Sequence, residues 1–276
     1  MGANQTDKGN RFRGLHSAAG AFLIANAWDG GSARILSGLG FQALATSSGA
    51  SAGTLGRLDG QVTRDEAFGQ ARVITASTEL PVSADLENGF GHDPSFVAET
   101  IRLAGTTGLV GASIEDATGD PGKPLYDFGQ ATERVVAAVE AARALPFTFT
   151  LTARAENFLR GNPDLDDTIR RLQAFERAGA DVLFAPGLPD LTAVRTVCSA
   201  LSKPVNFMVG MPGKSFTVAE LTAAGVKRIS LATSLYRSAM SGLIAAAREA
   251  REQGTFGFVE SAISSRDLAA FLGGAK

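Results

Sequence analysis

The stretch "PVSADLENGFGHD" (residues 81–93) sets two carboxylates, Asp85 and Glu87, two residues apart where an apolar run gives way to glycine. On an extended strand that spacing turns both side chains to one face. Other apolar runs also end in polar groups. One ends in Asn26, Trp28 and Asp29, the next in Ser47, Ser48 and Gly49, a fourth in Glu115 and Asp116, and a fifth in Arg154 and Glu156; a seventh carries Asn206. Carboxylates gathered in one place repel unless a proton or a cation intervenes. A hard divalent ion with oxygen ligands is the simplest cation. Mg²⁺ is typical where part of the shell stays water, with Mn²⁺ as the alternative. Asp85, Glu87 and Glu115 are therefore expected to form an acidic metal-binding cluster with Arg154 close by. A single acid at a strand end commonly caps a helix or turns a loop, but three acids and an arginine on neighbouring strand ends do not reduce to that.

The elements that must position these groups alternate along the chain. Short apolar runs cover 21–29, 42–48, 80–87, 108–116, 147–154, 180–187, 203–210 and 226–234. Each is almost free of charge until its end, as strands buried on both faces are. Amphipathic segments lie between them. Residues 63–79 open on a Thr cap with an acidic first turn, and 164–180 space Leu165, Ile169, Leu172 and Phe175 near a helical period. Eight β/α units predict a (β/α)8 TIM barrel, in which reactive groups collect at the C-terminal ends of the strands. A doubly wound sheet seldom needs eight such repeats without a break. The expected organisation is an N-terminal arm (1–18), the barrel (19–254) and a C-terminal helical extension (255–276). Within that extension the apolar residues Ile263, Leu268, Ala269, Phe271 and Leu272 require a surface to cover. The polar loop 117–128, "ATGDPGKPLYDF", suits a lid over the barrel mouth.

Bulk properties exclude several classes. The 276 residues suit one barrel, since such domains run to about 250. A net charge of −2 gives no electrostatic case for nucleic acid or an anionic membrane. No apolar run is long enough to span a bilayer, and the polar N-terminus lacks a signal-peptide core, so a cytoplasmic location is expected. Cys198 is the single cysteine, which excludes an intrachain disulfide and a cysteine zinc site; it lies on an apolar helix face and is expected to pack. His16 and His92 are too few for a histidine metal site. The lysines at 8, 123, 203, 214, 227 and 276 all miss the C-terminal strand ends, which argues against a Schiff-base aldolase. "GMPGKS" (210–215) lacks the first glycine of a nucleotide-binding loop, since Met208 stands there.

Taken together, the motifs resemble the phosphoenolpyruvate mutase/isocitrate lyase superfamily. "SADLENGFG" resembles its metal-binding segment, and "WDGGSARILSGLGFQALATSSGASAG" (28–53) its substrate-carboxylate loop. "GASIED" (111–116) resembles its strand-four acid segment, and "TARAENF" (152–158) its strand-five arginine motif. Order and spacing agree from residue 20 to residue 240. The resemblance implies a Mg²⁺ enzyme for small 2-keto acids that works through a pyruvate enolate and makes or breaks a P–C or C–C bond at C3. It implies that Asp85 holds the metal, that Glu87 and Glu115 complete the shell through water, and that Arg154 faces the substrate oxygen. It further implies that Ser47, Ser48 and Gly49, with Trp28 and Asn206, bind substrate, that Asp59 in "GRLDG" is the catalytic aspartate, and that subunits exchange C-terminal helices in dimers or tetramers.

Two departures stand out. Glu87 occupies a position that is usually Asp in the superfamily. The isocitrate and methylisocitrate lyase branches carry a Lys-Lys-Cys-Gly-His loop after strand four; here 117–128 has neither Cys nor His. The mutase branch keeps a Lys and an Asn there; Lys123 is present, and no Asn lies between 117 and 129. A 2-methylisocitrate-type carboxylate lyase and a non-catalytic keto-acid-binding barrel are the alternative readings.

Overall fold

A computed structural model describes residues 4–273; residues 1–3 of the expected arm and 274–276 of the expected extension lie outside the described residues. The order is α1 (Gln5–Ser17), β1 (Phe22–Asn26), α2 (Gly30–Gly38), β2 (Leu44–Ala45), α3 (Ser48–Thr54), α4 (Arg64–Ala76), β3 (Val82–Asp85), α5 (Pro94–Gly105), β4 (Gly111–Glu115) and α6 (Phe128–Arg143). It continues with β5 (Thr150–Arg154), α7 (Leu165–Arg177), β6 (Val182–Phe184), α8 (Leu191–Ser199), β7 (Val205–Met208), α9 (Val218–Ala223), β8 (Arg228–Ser230), α10 (Ser234–Arg248) and α11 (Ser265–Leu272). The eight strands are parallel and close in sequence order, β1 pairing with β8, so the expected barrel is the fold.

Local chemistry sets the boundaries. Asp29, Thr63 and Asp164 accept backbone N–H groups at the first turns of α2, α4 and α7, satisfying donors that the helix itself cannot. Leu44, Val82, Ala112, Leu151, Leu183 and Ile229 are fully or almost fully buried, one from each of six strands, and form part of one continuous core. The register then aligns the functional ends. Asp85 stands opposite Ser113, Glu115 opposite Arg154, Arg154 opposite Phe184, and Phe184 opposite Asn206.

Over its described residues the expected N-terminal arm is a helix packed on the barrel. α1 docks on the barrel, with Phe12 fully buried and edge-on to His16 and Phe22. Gln5 Nε2 donates to the carbonyls of Gly105 and Leu109, and Gly9 lets the helix approach the carbonyl of Thr148. The helix is polar overall, so its few anchoring residues leave almost no periodic signal.

At the other end, α11 returns to its own barrel. The Phe271 ring packs where a side chain on Gly38 would stand, and Arg34 donates to the Leu272 carbonyl. α10 behaves differently: none of its residues is buried, and Leu243 and Ile244 are 60% and 50% exposed.

Candidate active site

A cavity of about 1160 Å³ opens at the C-terminal ends of the strands. Asp59, Asp85, Glu87, Glu115, Arg154, Asn206, Ser47, Ser48 and Gly49 all line it. Trp28 does not. Its ring packs edge-on against Tyr236, and its carbonyl accepts from Gln70, so the structure places it behind the wall.

Arg154 organises the centre. From β5 its Nη1 reaches Asp85 Oδ1 at 3.1 Å and Glu115 Oε2 at 3.3 Å. Its Nε and Nη2 donate to Glu156 Oε1 at 3.1 and 2.7 Å, and its guanidinium lies over the Phe184 ring. Burial alone would lower its pKa, but the carboxylates of Glu156, Glu115 and Asp85 outweigh that and raise it. The arginine is therefore a permanent cation with little rotational freedom. Arg160 closes the arrangement by donating to Glu115 Oε1 at 3.1 Å and lying 3.4 Å from Glu156 Oε2.

Asp85 is held from both sides. Its Oδ2 accepts from the Ser48 hydroxyl at 3.0 Å, and its Oδ1 also accepts from the Glu87 backbone N–H at 3.3 Å. The strand stops at Asp85, so the two-residue alternation that puts Glu87 on the same face does not apply. Glu87 reaches the cavity because its backbone is left-handed (φ 48°), followed by left-handed Gly89 and Phe90. Such a conformation in a non-glycine residue is costly and concentrates at functional sites.

Burial, then the charges of Asp85 and Asp59, push the Glu87 carboxyl up to about 7. Burial also raises Glu115, against the pull of Arg154 and Arg160. The site thus gathers more carboxyl groups than Arg154 and Arg160 pair with, and burial favours the neutral form of Glu87 and Glu115. Among the described residues no three His, Cys, Asp or Glu side chains are arranged to hold a metal directly. Arg154 stands between Asp85 and Glu115 instead. The donor set fits a hard divalent cation only as a largely hydrated ion, which is the manner in which Mg²⁺ binds.

Gly49 and Asp59 meet next to Ser48, whose hydroxyl bonds Asp85. A Cβ on Gly49 would lie 2.9 Å from Thr233 Cγ2 and 3.3 Å from Asp59 Oδ2, so glycine lets the Asp59 loop close over α3. Ser47 is the N-cap of α3. His92, on the loop after Glu87, bonds the Tyr126 hydroxyl at 2.7 Å and touches the cavity. Buried Arg134 binds the carbonyls of Asn88, Gly91 and His92 and so ties that loop down. Of the loop 117–128, Ala117, Thr118 and Gly119 touch the cavity, whereas Lys123 is paired with Asp127 at 2.6 Å. Cys198 is remote: it packs against Gly225, and burial pushes its thiol up to about 11.

Sequence reasoning noted Glu156 as a strand end without giving it a role, and it missed Arg160 and Arg228. Arg160 follows Glu156 by one helical turn, a spacing that could have found it. Arg228 opens its strand, where a charge reads as a solvated flank.

A barrel whose strand ends gather buried carboxylates around a fixed arginine is an enzyme scaffold. Residues 12–251 match the phosphoenolpyruvate phosphomutase family, and the chain belongs to it and to the phosphoenolpyruvate mutase/isocitrate lyase superfamily. The chain is 30% identical to the 2-methylisocitrate lyase of Escherichia coli (strain K12) over 240 residues, covering 83% of this chain and 80% of that one. It is 30% identical to an oxaloacetate decarboxylase of Paraburkholderia xenovorans over 246 residues, covering 86% and 80%. A crystal structure from Burkholderia cenocepacia J2315, described provisionally as a lyase/mutase, superposes with a TM-score of 0.95 at 49% identity, covering 97% of this chain and 96% of that one. The protein is an enzyme of this superfamily.

Proposed function

We propose that this enzyme acts on a small 2-keto acid and makes or breaks a P–C or C–C bond at C3 through a pyruvate enolate. The observation that carries the reading is the Arg154 guanidinium, fixed between Asp85 and Glu115 at the cavity mouth. When that C3 bond breaks, its electron pair passes into the enolate, and negative charge grows on the C2 oxygen. A preorganised guanidinium in a partly dry site stabilises such a charge as it forms. Asp85 would hold Mg²⁺ directly, with Glu87 and Glu115 held to it through water. The ion would supply Lewis-acid polarisation of the keto group. The Ser47–Gly49 segment would hold the substrate carboxylate, and Asp59, packed beside Gly49, would take or give the proton at C3. The loop 117–128, which meets the cavity through Ala117, Thr118 and Gly119, would exclude water from the enolate.

A 2-methylisocitrate-type reaction through a cysteine acid/base is disfavoured by the loop 117–128, which lacks Cys and His, and by the remote, inert Cys198. The deciding test is turnover of phosphonopyruvate, phosphoenolpyruvate, oxaloacetate and 2-methylisocitrate, each with Mg²⁺ and with a chelator. Metal-dependent turnover of one of the first three supports the reading. Turnover that survives chelation sinks the metal assignment, and no turnover of any of the four leaves a binding barrel.

A further inference from the structure

The floor of the cavity carries a charge with no counter-charge. Arg228, at the first position of β8, projects into the barrel and is only 5% exposed. Its Nε donates to Asn206 Oδ1 at 2.8 Å and its Nη2 to Thr152 Oγ1 at 3.0 Å, while Nη1 has no hydrogen-bond partner. Both partners are neutral, and no carboxylate of the described residues lies within ion-pair distance of it. The other buried arginines are better satisfied. Arg154 meets three carboxylates, Arg171 meets Asp116 and Asp167, and Arg134 binds three carbonyls and lies over the Tyr126 ring. Burial and the like charge of Arg154 draw the Arg228 pKa down to about 9, and no acid offsets them. An unpaired buried cation is among the most costly groups a fold can carry.

Asn206 fixes where this cation stands. Its amide donates to Ser230 Oγ at 3.1 Å, which turns its carbonyl oxygen toward Arg228. Arg228, Asn206 and Ser230 all line the cavity that Asp85 and Glu115 line higher up. The cavity is therefore two-sided, with carboxyl groups clustered at the β3–β4 wall and an unanswered positive charge at the β7–β8 floor.

We infer that Arg228 is a specificity residue that binds the second anionic group of a dianionic substrate, a carboxylate or phosphonate carried at C3. This rests on the keto-acid reading above and narrows it. The 2-keto acid end lies at the acidic wall, and the group at C3 reaches down to Arg228. A monoanion such as pyruvate would leave the arginine unanswered.

The test compares two probes that share the keto-acid end and differ at C3: pyruvate, and 3-sulfopyruvate, which adds a sulfonate. Dissociation constants are measured by calorimetry with Mg²⁺ for the native enzyme, Arg228→Met and Arg228→Lys. Native protein is expected to favour 3-sulfopyruvate by about 30-fold, the scale of a charge-assisted hydrogen bond. The preference should fall below about threefold in Arg228→Met and be partly kept in Arg228→Lys. Unliganded Arg228→Met should melt no lower than native protein, since it removes an unpaired charge. A preference that survives in Arg228→Met overturns the inference. So does equal loss of both probes with a fall in melting temperature, which would make Arg228 a structural strut. Native protein that binds both probes equally overturns it while leaving the keto-acid reading intact; native protein that binds neither overturns both. Turnover by Arg228→Met is measured as well, and the larger loss, on oxaloacetate or on phosphonopyruvate, tells carboxylate from phosphonate.

Discussion

Arg154 on β5 reaches past β4 to Asp85 on β3, with Nη1 3.1 Å from Oδ1. The two residues are 69 positions apart, and the pairing of β3 and β5 on either side of β4 makes them neighbours. That contact restrains the arginine whose charge faces the proposed enolate. Arg154→Ala is expected to lower kcat/KM at least about 100-fold, corresponding to roughly 3 kcal/mol for a preorganised donor. Cys198→Ser should stay within a factor of a few. A dead Cys198→Ser beside a near-normal Arg154→Ala would place the chemistry elsewhere.

Metal binding is expected to follow Asp85. Asp85→Asn replaces a charged oxygen ligand with a neutral amide, and Mn²⁺ titration followed by electron paramagnetic resonance should show at least about tenfold weaker binding. Unchanged Mn²⁺ affinity in the variant would remove Asp85 from the ligand set.

Gly49→Ala tests the wall that carries Asp59. The new methyl would stand 2.9 Å from Thr233 Cγ2 and 3.3 Å from Asp59 Oδ2, so one of them must shift. About a tenfold fall in kcat is expected, because small displacements of catalytic groups are expensive. If the effect passes through Asp59, Gly49→Ala should add little to Asp59→Asn in a double-mutant cycle. Full additivity would dissociate the two residues.

His16 predicts an acid limb in stability. Burial first, then the charge of Arg228, lowers its pKa from 6.5 to about 3, with only the Phe12 carbonyl opposing. The folded state therefore refuses a proton that the unfolded chain accepts. This contribution is complete above pH 6.5 and is lost as pH falls toward 3. At pH 5 the loss is about 2 kcal/mol. Urea midpoints at pH 7.5 and pH 5 should diverge more in native protein than in His16→Phe, which keeps a ring between Phe12 and Phe22. Identical divergence in both would acquit His16.

The uncovered face of α10 points to assembly. We propose that it is covered by a second copy of the chain, giving a dimer or tetramer. Light scattering should report such an assembly for native protein, and Leu243→Asp with Ile244→Asp should shift it toward monomer. An unchanged mass would leave α10 out of the interface. Deleting residues 255–276 separates the roles of the two helices, because α11 already has α2 as its seat.

Much of this was legible in the chain. Eight mostly uncharged runs with polar ends carry the barrel and its active end, because a strand buried on both faces tolerates charge chiefly near its ends. Asp85, Glu115 and Arg154 reach the cavity as the strand-end rule requires, and Asp59 reaches it from the loop that the family resemblance pointed to. Periodicity could not show what depends on three-dimensional approach. Glu87 enters through a left-handed turn after the strand has stopped, so its place comes from backbone dihedrals rather than from alternation. Trp28 is turned away by Tyr236, a partner 208 positions later. α1 docks through a few residues in a polar helix, too few to register as a face. Arg228 carries a charge at the wrong end of its strand, yet its long side chain runs inward to Asn206 and Thr152 on two other strands. Which interior side chains share the cavity is fixed by strand register around a closed ring, and register belongs to the closed barrel rather than to any single strand.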